Sequence, residues 1–253
     1  MNPIDPTQRF SGRAADYRSY RPGYPPPLLD LLKQDLRYRR GDMTAIDIGA
    51  GTGISSEFLA SGGWHVIAVE PNDNMRQNAS HFRAAAISFV SGTAESTGLT
   101  SGCADLVTSF QSFHWFRPER ALAEFHRLLH PGGRAALIWN IRDSADPFTA
   151  AYSRIIEEHA GASATELQHK EASGRRLLES PLFTGARRAT LSNSQTMNLD
   201  ALLGRVRSTS YLPNAGPAYD KLACELSTLF ARFAEDGKVH MIYQTIAFLA
   251  ERP

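Results

Sequence analysis

The chemistry-bearing residues gather at the ends of apolar runs. "AIDIGAGTGISSEFLA", Ala45 to Ala60, sets an acid, Asp47, and three glycines, Gly49, Gly51 and Gly53, between a strand-like run and helically spaced Ile54, Phe58 and Leu59. A strand, a glycine turn and a helix N-terminus bring backbone close to an anionic or nucleotide-like ligand. A second run, "WHVIAVEP", ends at an acid, Glu70. A third follows "CADLVTSF" with "QSFHWF", placing His114, which titrates near neutrality, among Phe113, Trp115 and Phe116. Trp139, Asn140 and Arg142 close the next run.

The elements that must position these residues alternate. Strands are expected at Ala45–Ile48, through "WHVIAVEP", at "ISFVSGTAE", at Ala104–Phe110 and through "RAALIWN", with an amphipathic helix at "PERALAEFHRLL" that Pro131, Gly132 and Gly133 should stop. That alternation predicts a doubly wound, mostly parallel sheet. Ahead of it, a proline-broken segment leads into a helix at Leu28–Leu36. Behind it, helices are expected at Pro147–Ala160, Thr165–Leu178, Leu199–Arg207 and Ala218–Ala234, with strands at Arg188–Met197 and Val239–Leu249. The late strand pair would bring the sheet to seven and close its edge as an antiparallel hairpin. The division expected is a flap and helix over 1–40, a ligand-binding core over 41–142, and sheet completion plus a helical cap over 143–253, in one structural unit.

Composition narrows the classes. The chain has 253 residues, 42% of them hydrophobic, enough for one α/β core. Its 27 basic and 26 acidic side chains give a net charge of +1, which offers no general attraction to nucleic acid or anionic membrane. Two cysteines, Cys103 and Cys224, supply neither a disulfide framework nor metal spacing, so a reducing cytoplasm is expected. "MNPIDPTQRF" carries no apolar signal core. Asp143 and Asp146 are too few for a metal site, and none is expected.

A dinucleotide site would want G-x-G-x-x-G, but Ile54 stands where its last glycine belongs and Asp47 sits close to where a pyrophosphate would lie. A ligand with a cationic or zwitterionic part, such as S-adenosylmethionine, fits better. A nicotinamide-dependent oxidoreductase and a non-catalytic binding module stay open as alternatives.

"DIGAGTG", "VEPNDNM", "SGTAE", "ADLVTSFQSFHWF" and "HPGGRAALIWN" resemble, in order and spacing across residues 10–142, the motifs of class I S-adenosylmethionine-dependent methyltransferases. "Y…RP.YP" over residues 17–25, "QSFHWF" and "WNIRD" further resemble the small-molecule branch that includes trans-aconitate methyltransferase. The resemblance implies a Rossmann-like fold and S-adenosylmethionine as cofactor. It implies a contact of the Gly49, Ala50 and Gly51 loop with the methionine part, with Asp47 orienting the ammonium. Glu70 and Pro71 would meet the ribose, Met75 the adenine ring, and Thr93, Ala94 and Glu95 the adenine edge. Phe110 and Gln111 would flank the reacting sulfonium, while Tyr17 and Arg21 reach the cofactor carboxylate.

For the acceptor, the residues chosen are Tyr20, Trp115, Trp139, Arg142 and Tyr211, with His114 as the one candidate for general base or orienting group. Tyr24, Arg207, Ser208 and Ser210 are placed to close the pocket, and the aromatics could equally be core. The expected partner is a small planar or carboxylated molecule, with no nucleic acid and no membrane, and the protein acting as monomer or homodimer.

Overall fold

The computed structural model describes residues 20–36, 43–79, 86–160, 165–209 and 211–253. Tyr17 and Ser210 lie outside the described residues, as does the flap before Tyr20. Five parallel strands form the first part of the sheet: β1 (Thr44–Ile48), β2 (His65–Val69), β3 (Ile87–Val90), β4 (Ala104–Phe110) and β5 (Leu129–Arg142). Two late strands, β6 (Thr184–Met197) and β7 (Val239–Glu251), complete a seven-stranded sheet in the order β3-β2-β1-β4-β5-β7-β6. β7 runs antiparallel to both neighbours, so the expected late hairpin closes the edge with its second strand innermost.

Side-chain alternation along the strands builds two cores. In β5, Ala135, Leu137 and Trp139 face one layer, with Phe125 of α4 (Pro118–Leu128) and Leu177 of α6 (Thr165–Leu178). Ala136 and Ile138 face the other, with Leu28 and Leu32 of α1 (Pro27–Lys33) and Leu59 of α2 (Ile54–Ser61). Phe148, Tyr152 and Ile156 of α5 (Pro147–Ala160) make a third core with Leu202 and Val206 of α7 (Leu199–Arg207) and Leu222 and Leu226 of α8 (Gly216–Phe233). α3 (Asp73–Ala79) completes the element order. The helical cap is therefore joined to the sheet through Met241 and Tyr243 of β7.

Among the boundaries that differ from expectation, two have a visible cause. α4 stops at Leu128 rather than running to the Pro131 punctuation, because Leu129 already pairs with Ala104. The PGG stretch then forms an irregularity inside β5, held by exchanged backbone hydrogen bonds: Gly132 donates to Arg252 and Arg252 to Gly133, each at 2.8 Å. β7 reaches Glu251 because buried Arg134 donates to that carboxylate through Nη2 (2.9 Å) and also to the carbonyls of Leu31 and Leu32. These partners lie over a hundred residues away, beyond the reach of local pattern.

Glu124 of α4 ties the loop after β3 to the scaffold. Its Oε1 accepts from the Thr97 amide (3.0 Å) and hydroxyl (2.6 Å), and Arg127 donates to both of its oxygens at 2.7 Å. Arg127 first, and the Thr97 bonds with it, hold the Glu124 carboxyl down to about 2. A depressed carboxylate stabilises the fold above its ordinary range and loses that contribution as pH falls through the folded value. Glu124→Gln is therefore expected to cost about 1.5–3 kcal/mol at pH 7. In urea unfolding, the gap between variant and wild type should narrow between pH 4.5 and about 2.

Candidate active site

The residues singled out in the sequence collect at the carboxyl ends of β1, β2, β4 and β5, where ligands bind in open α/β sheets. At the floor is Asp47, fully buried. Its Oδ2 accepts from the hydroxyls of Ser55 (2.6 Å) and Ser56 (2.7 Å), and its Oδ1 from Thr108 (3.2 Å). Burial pushes this carboxyl up, against the pull of those three hydroxyls. Both Asp47 oxygens are engaged by hydroxyls of α2 and β4, so the residue anchors the turn from below.

The turn itself is shaped by close approach. Gly49 has φ +72°, and a Cβ there would stand 2.6 Å from the Ser112 hydroxyl. Ser112 in turn donates to the Ile48 carbonyl at 3.2 Å, so the exit of β4 presses directly on the turn. Gly51 is different: a Cβ on it would meet open space, leaving its outer side accessible to a ligand. Its amide donates to Glu70 Oε2, and the Asn72 amide donates to Oε1, both at 2.9 Å. Burial, chiefly, raises the Glu70 carboxyl above its usual range. Each of its oxygens keeps a further lone pair for a ligand hydroxyl.

Around this pair, Pro71 is half-buried and Met75 is buried, with the Met75 amide donating to the Asn72 side chain at 3.1 Å. Thr93 is exposed and exchanges backbone hydrogen bonds with Ser96, while Ala94 is buried in the core beside Val69. Glu95 accepts the Arg117 amide at 2.8 Å, capping the approach to α4. The ring of Phe110 is covered by Tyr24, 4.6 Å centroid to centroid. Gln111 has φ +58°, a left-handed conformation costing ~1–3 kcal/mol at a non-glycine residue, held by its amide bond to Ile138.

On the acceptor side, Trp139 is 1% exposed and packs edge-on against Phe248, so it belongs to the core and not to an open wall. It reaches the site through its indole N–H, which donates to His114 Nδ1 at 3.4 Å. Trp115 (42% exposed) and Tyr211 (41%) are the exposed large hydrophobics among the described residues. Arg142 stands over the Tyr152 ring, and Arg207 donates to the Tyr219 hydroxyl. Asp143 and Asp146 take local backbone amides, from Ala145 and Thr149 respectively.

The described end of the flap is strapped across these strand ends. Gly23 offers its carbonyl to Asn140 and Asn193, each at 3.0 Å, and Gln195 donates to the Tyr20 carbonyl at 3.1 Å. The Tyr20 ring lies so close on α7 that a side chain at Gly204 would run into it. Arg21 donates to the Ser208 carbonyl at 3.3 Å. Sequence reasoning missed Ser55, Ser56 and Thr108, although paired serines directly after a glycine turn were a readable sign. It also missed Arg205 and Tyr243, which only the packing of α7 on β7 brings together.

A family described as a methyltransferase domain matches residues 46–137, the stretch from β1 into β5. A methyltransferase of Mycobacterium tuberculosis, itself uncharacterised, is 32% identical over 209 residues, 82% of this chain and 79% of that one. A Schizosaccharomyces pombe methyltransferase, likewise uncharacterised, is 29% identical over 252 residues, 96% of each chain. In fold, the solved structure of a type II methyltransferase candidate from Anaeromyxobacter dehalogenans is similar with a TM-score of 0.66 at 24% identity, covering 92% of this chain and 97% of that one. With the glycine turn, the acid after β2 and the late antiparallel strand all in place, the chain belongs to the class I S-adenosylmethionine-dependent methyltransferases, and S-adenosylmethionine is its cofactor.

Proposed function

We propose that the protein methylates a small molecule, a planar or carboxylated metabolite, with residues 41–142 holding the cofactor and 143–253 enclosing the acceptor under the N-terminal strap. The observation that carries this is Glu70, fixed by the amides of Gly51 and Asn72 beside the open side of the turn. That donor set fits the cofactor: a rigid carboxylate for the ribose diol, and accessible turn backbone for the methionine part. When bound, S-adenosylmethionine supplies a methyl group on a sulfonium, open to in-line displacement. The chain's task is to hold, align and exclude water.

Small size of the acceptor is supported by the strap. Tyr20 through Gly23 bridges β5, β6 and α7 across the strand ends, an arrangement that suits a small molecule better than a polymer. The segments resembling the trans-aconitate branch include this strap, "QSFHWF" and "WNIRD". The two free thiols, Cys103 and Cys224, support action in a reducing cytoplasm.

His114 acts here as a positioning group. An indole N–H can only donate, so the contact from Trp139 makes Nδ1 an acceptor and leaves the proton of the neutral ring on Nε2. A ring in that tautomer offers a hydrogen bond from Nε2 and takes no proton there. Trp139 therefore sets the role of His114 from inside the core.

Methyl transfer from labelled S-adenosylmethionine to aromatic acids, phenols, ring-nitrogen heterocycles and short polycarboxylates tests the proposal. Label found only in protein or nucleic acid would overturn it, and binding without transfer to any acceptor would favour a non-catalytic module. His114→Gln should lower turnover by less than ~10²-fold and keep the acidic limb of the pH profile, whereas loss of a general base costs ~10²–10⁴-fold. Glu70→Gln should weaken S-adenosylhomocysteine binding ~10- to 100-fold by calorimetry, the scale of lost bonds to a charged acceptor. Because burial raises the Glu70 carboxyl and the diol needs its ionised form, wild-type affinity should fall as pH is lowered, beginning above the ordinary glutamate range. The variant should lack that dependence.

A further inference from the structure

The cap holds positive charge for which the cofactor has no use. Arg205, on the inner side of α7, is 8% exposed, and its electrostatic neighbours are the hydroxyls of Tyr152, Tyr211 and Tyr243. Among the described residues no carboxylate pairs with it. Arg205 bonds to the Tyr152 hydroxyl, and its Nη1 makes two long hydrogen bonds, 3.4 Å to the Tyr20 carbonyl and 3.5 Å to Gln195 Oε1. The guanidinium lies 5.6 Å from the centre of the Tyr243 ring. Tyr243 is 1% exposed, and its hydroxyl has no hydrogen-bond partner among the described residues.

Two more guanidinium groups converge there. Arg142 is paired with Tyr243 across the β5–β7 ladder and stands 5.5 Å from the centre of the Tyr152 ring. Arg21 arrives on the strap, and Arg205, Arg142 and Arg21 all act electrostatically on the Tyr243 hydroxyl. Burying a cation without an anion is unfavourable. Placement in the last turn of α7 offsets only a small part of that through the helix dipole. The ring faces of Tyr152 and Tyr243 give a further part of the compensation. What Arg205 lacks among the described residues is an oxyanion, which a guanidinium fork binds through two parallel hydrogen bonds.

We propose that Arg205, with Arg142, Arg21 and the Tyr243 hydroxyl, forms a binding site for an anionic oxygen group of the acceptor, a carboxylate or a phosphate. The site rests on the methyltransferase reading above, since Arg142 stands at the carboxyl end of β5, one of the strand ends where that reading puts the ligands. Arg205 sets specificity for charge, and the Tyr243 hydroxyl supplies one neutral donor between the guanidinium groups.

The test titrates protein saturated with S-adenosylhomocysteine with benzoate, tricarballylate and phenyl phosphate, and with benzamide as the neutral counterpart of benzoate. At least one anion should bind and benzamide should not; carboxylate or phosphate is identified by which probe binds. Arg205→Met should weaken that binding ~10- to 100-fold, with Arg205→Lys between it and wild type. Tyr243→Phe removes only a hydroxyl without a partner, so it should keep or raise Tm while weakening the anion several-fold. S-adenosylhomocysteine affinity should be the same in all three variants. Equal binding of benzoate and benzamide, unchanged anion affinity in both Arg205→Met and Tyr243→Phe, or no anion binding with S-adenosylhomocysteine bound would each overturn this proposal alone. Failure of wild type to bind S-adenosylhomocysteine would overturn both this proposal and the reading beneath it.

Discussion

A fully buried carboxyl organises the ligand-binding half of the molecule. Asp47 sits in the central strand β1, and its oxygens are met by hydroxyls from two different elements, Ser55 and Ser56 at the start of α2 and Thr108 within β4. A polar group buried this deeply is tolerated only when such bonds are in place. They therefore fix where α2 begins relative to β1 and β4. With both ends of the Gly49–Gly53 turn pinned, the turn can follow only a narrow range of paths, and Gly49 must let Ser112 approach.

From that anchor the site is built outward by acids that serve backbone first. Glu70 receives the amides of Gly51 and Asn72, which joins the turn after β1 to the turn after β2. Glu95 receives the Arg117 amide, and Glu124 receives the Thr97 amide and hydroxyl. The loop after β3 is thus held at Glu95 and Thr97 against the start and the second half of α4. A ligand contacting Glu70 or Glu95 would use lone pairs on oxygens whose positions are already set. That is preorganisation in its ordinary sense: little conformational freedom is left to lose on binding.

Much of this was legible in the sequence, and the division between what could be read and what could not is physical. Strand β4 and helices α5, α6 and α7 fall at the residues expected, because their patterns are local and their stop signals sit at their ends. Asp47 was legible as important, but its hydroxyl partners were not. Whether an acid faces a ligand or a serine depends on which way the pleat and the first helical turn point. Trp139 was chosen for a pocket wall and lies in the core, since the alternation of β5 that buries Leu137 on one face buries Trp139 on the same face. Arg205 went unnoticed for the opposite reason. Its neighbours Tyr152, Gln195 and Tyr243 come from three separate segments, and no spacing along the chain announces that they meet.

The two halves of the cleft carry opposite charge although the chain as a whole is nearly neutral at +1. Asp47 and Glu70 lie beneath the glycine turn, while Arg21, Arg142 and Arg205 gather around Tyr243 under the cap. Buried charges are attenuated far less than charges at a surface, so such a separation is felt over several ångströms. The strap belongs to this field as well, because Arg21, which acts on the Tyr243 hydroxyl, is carried on the segment whose Tyr20 ring lies on Gly204 and whose Gly23 carbonyl is bound by Asn140 and Asn193.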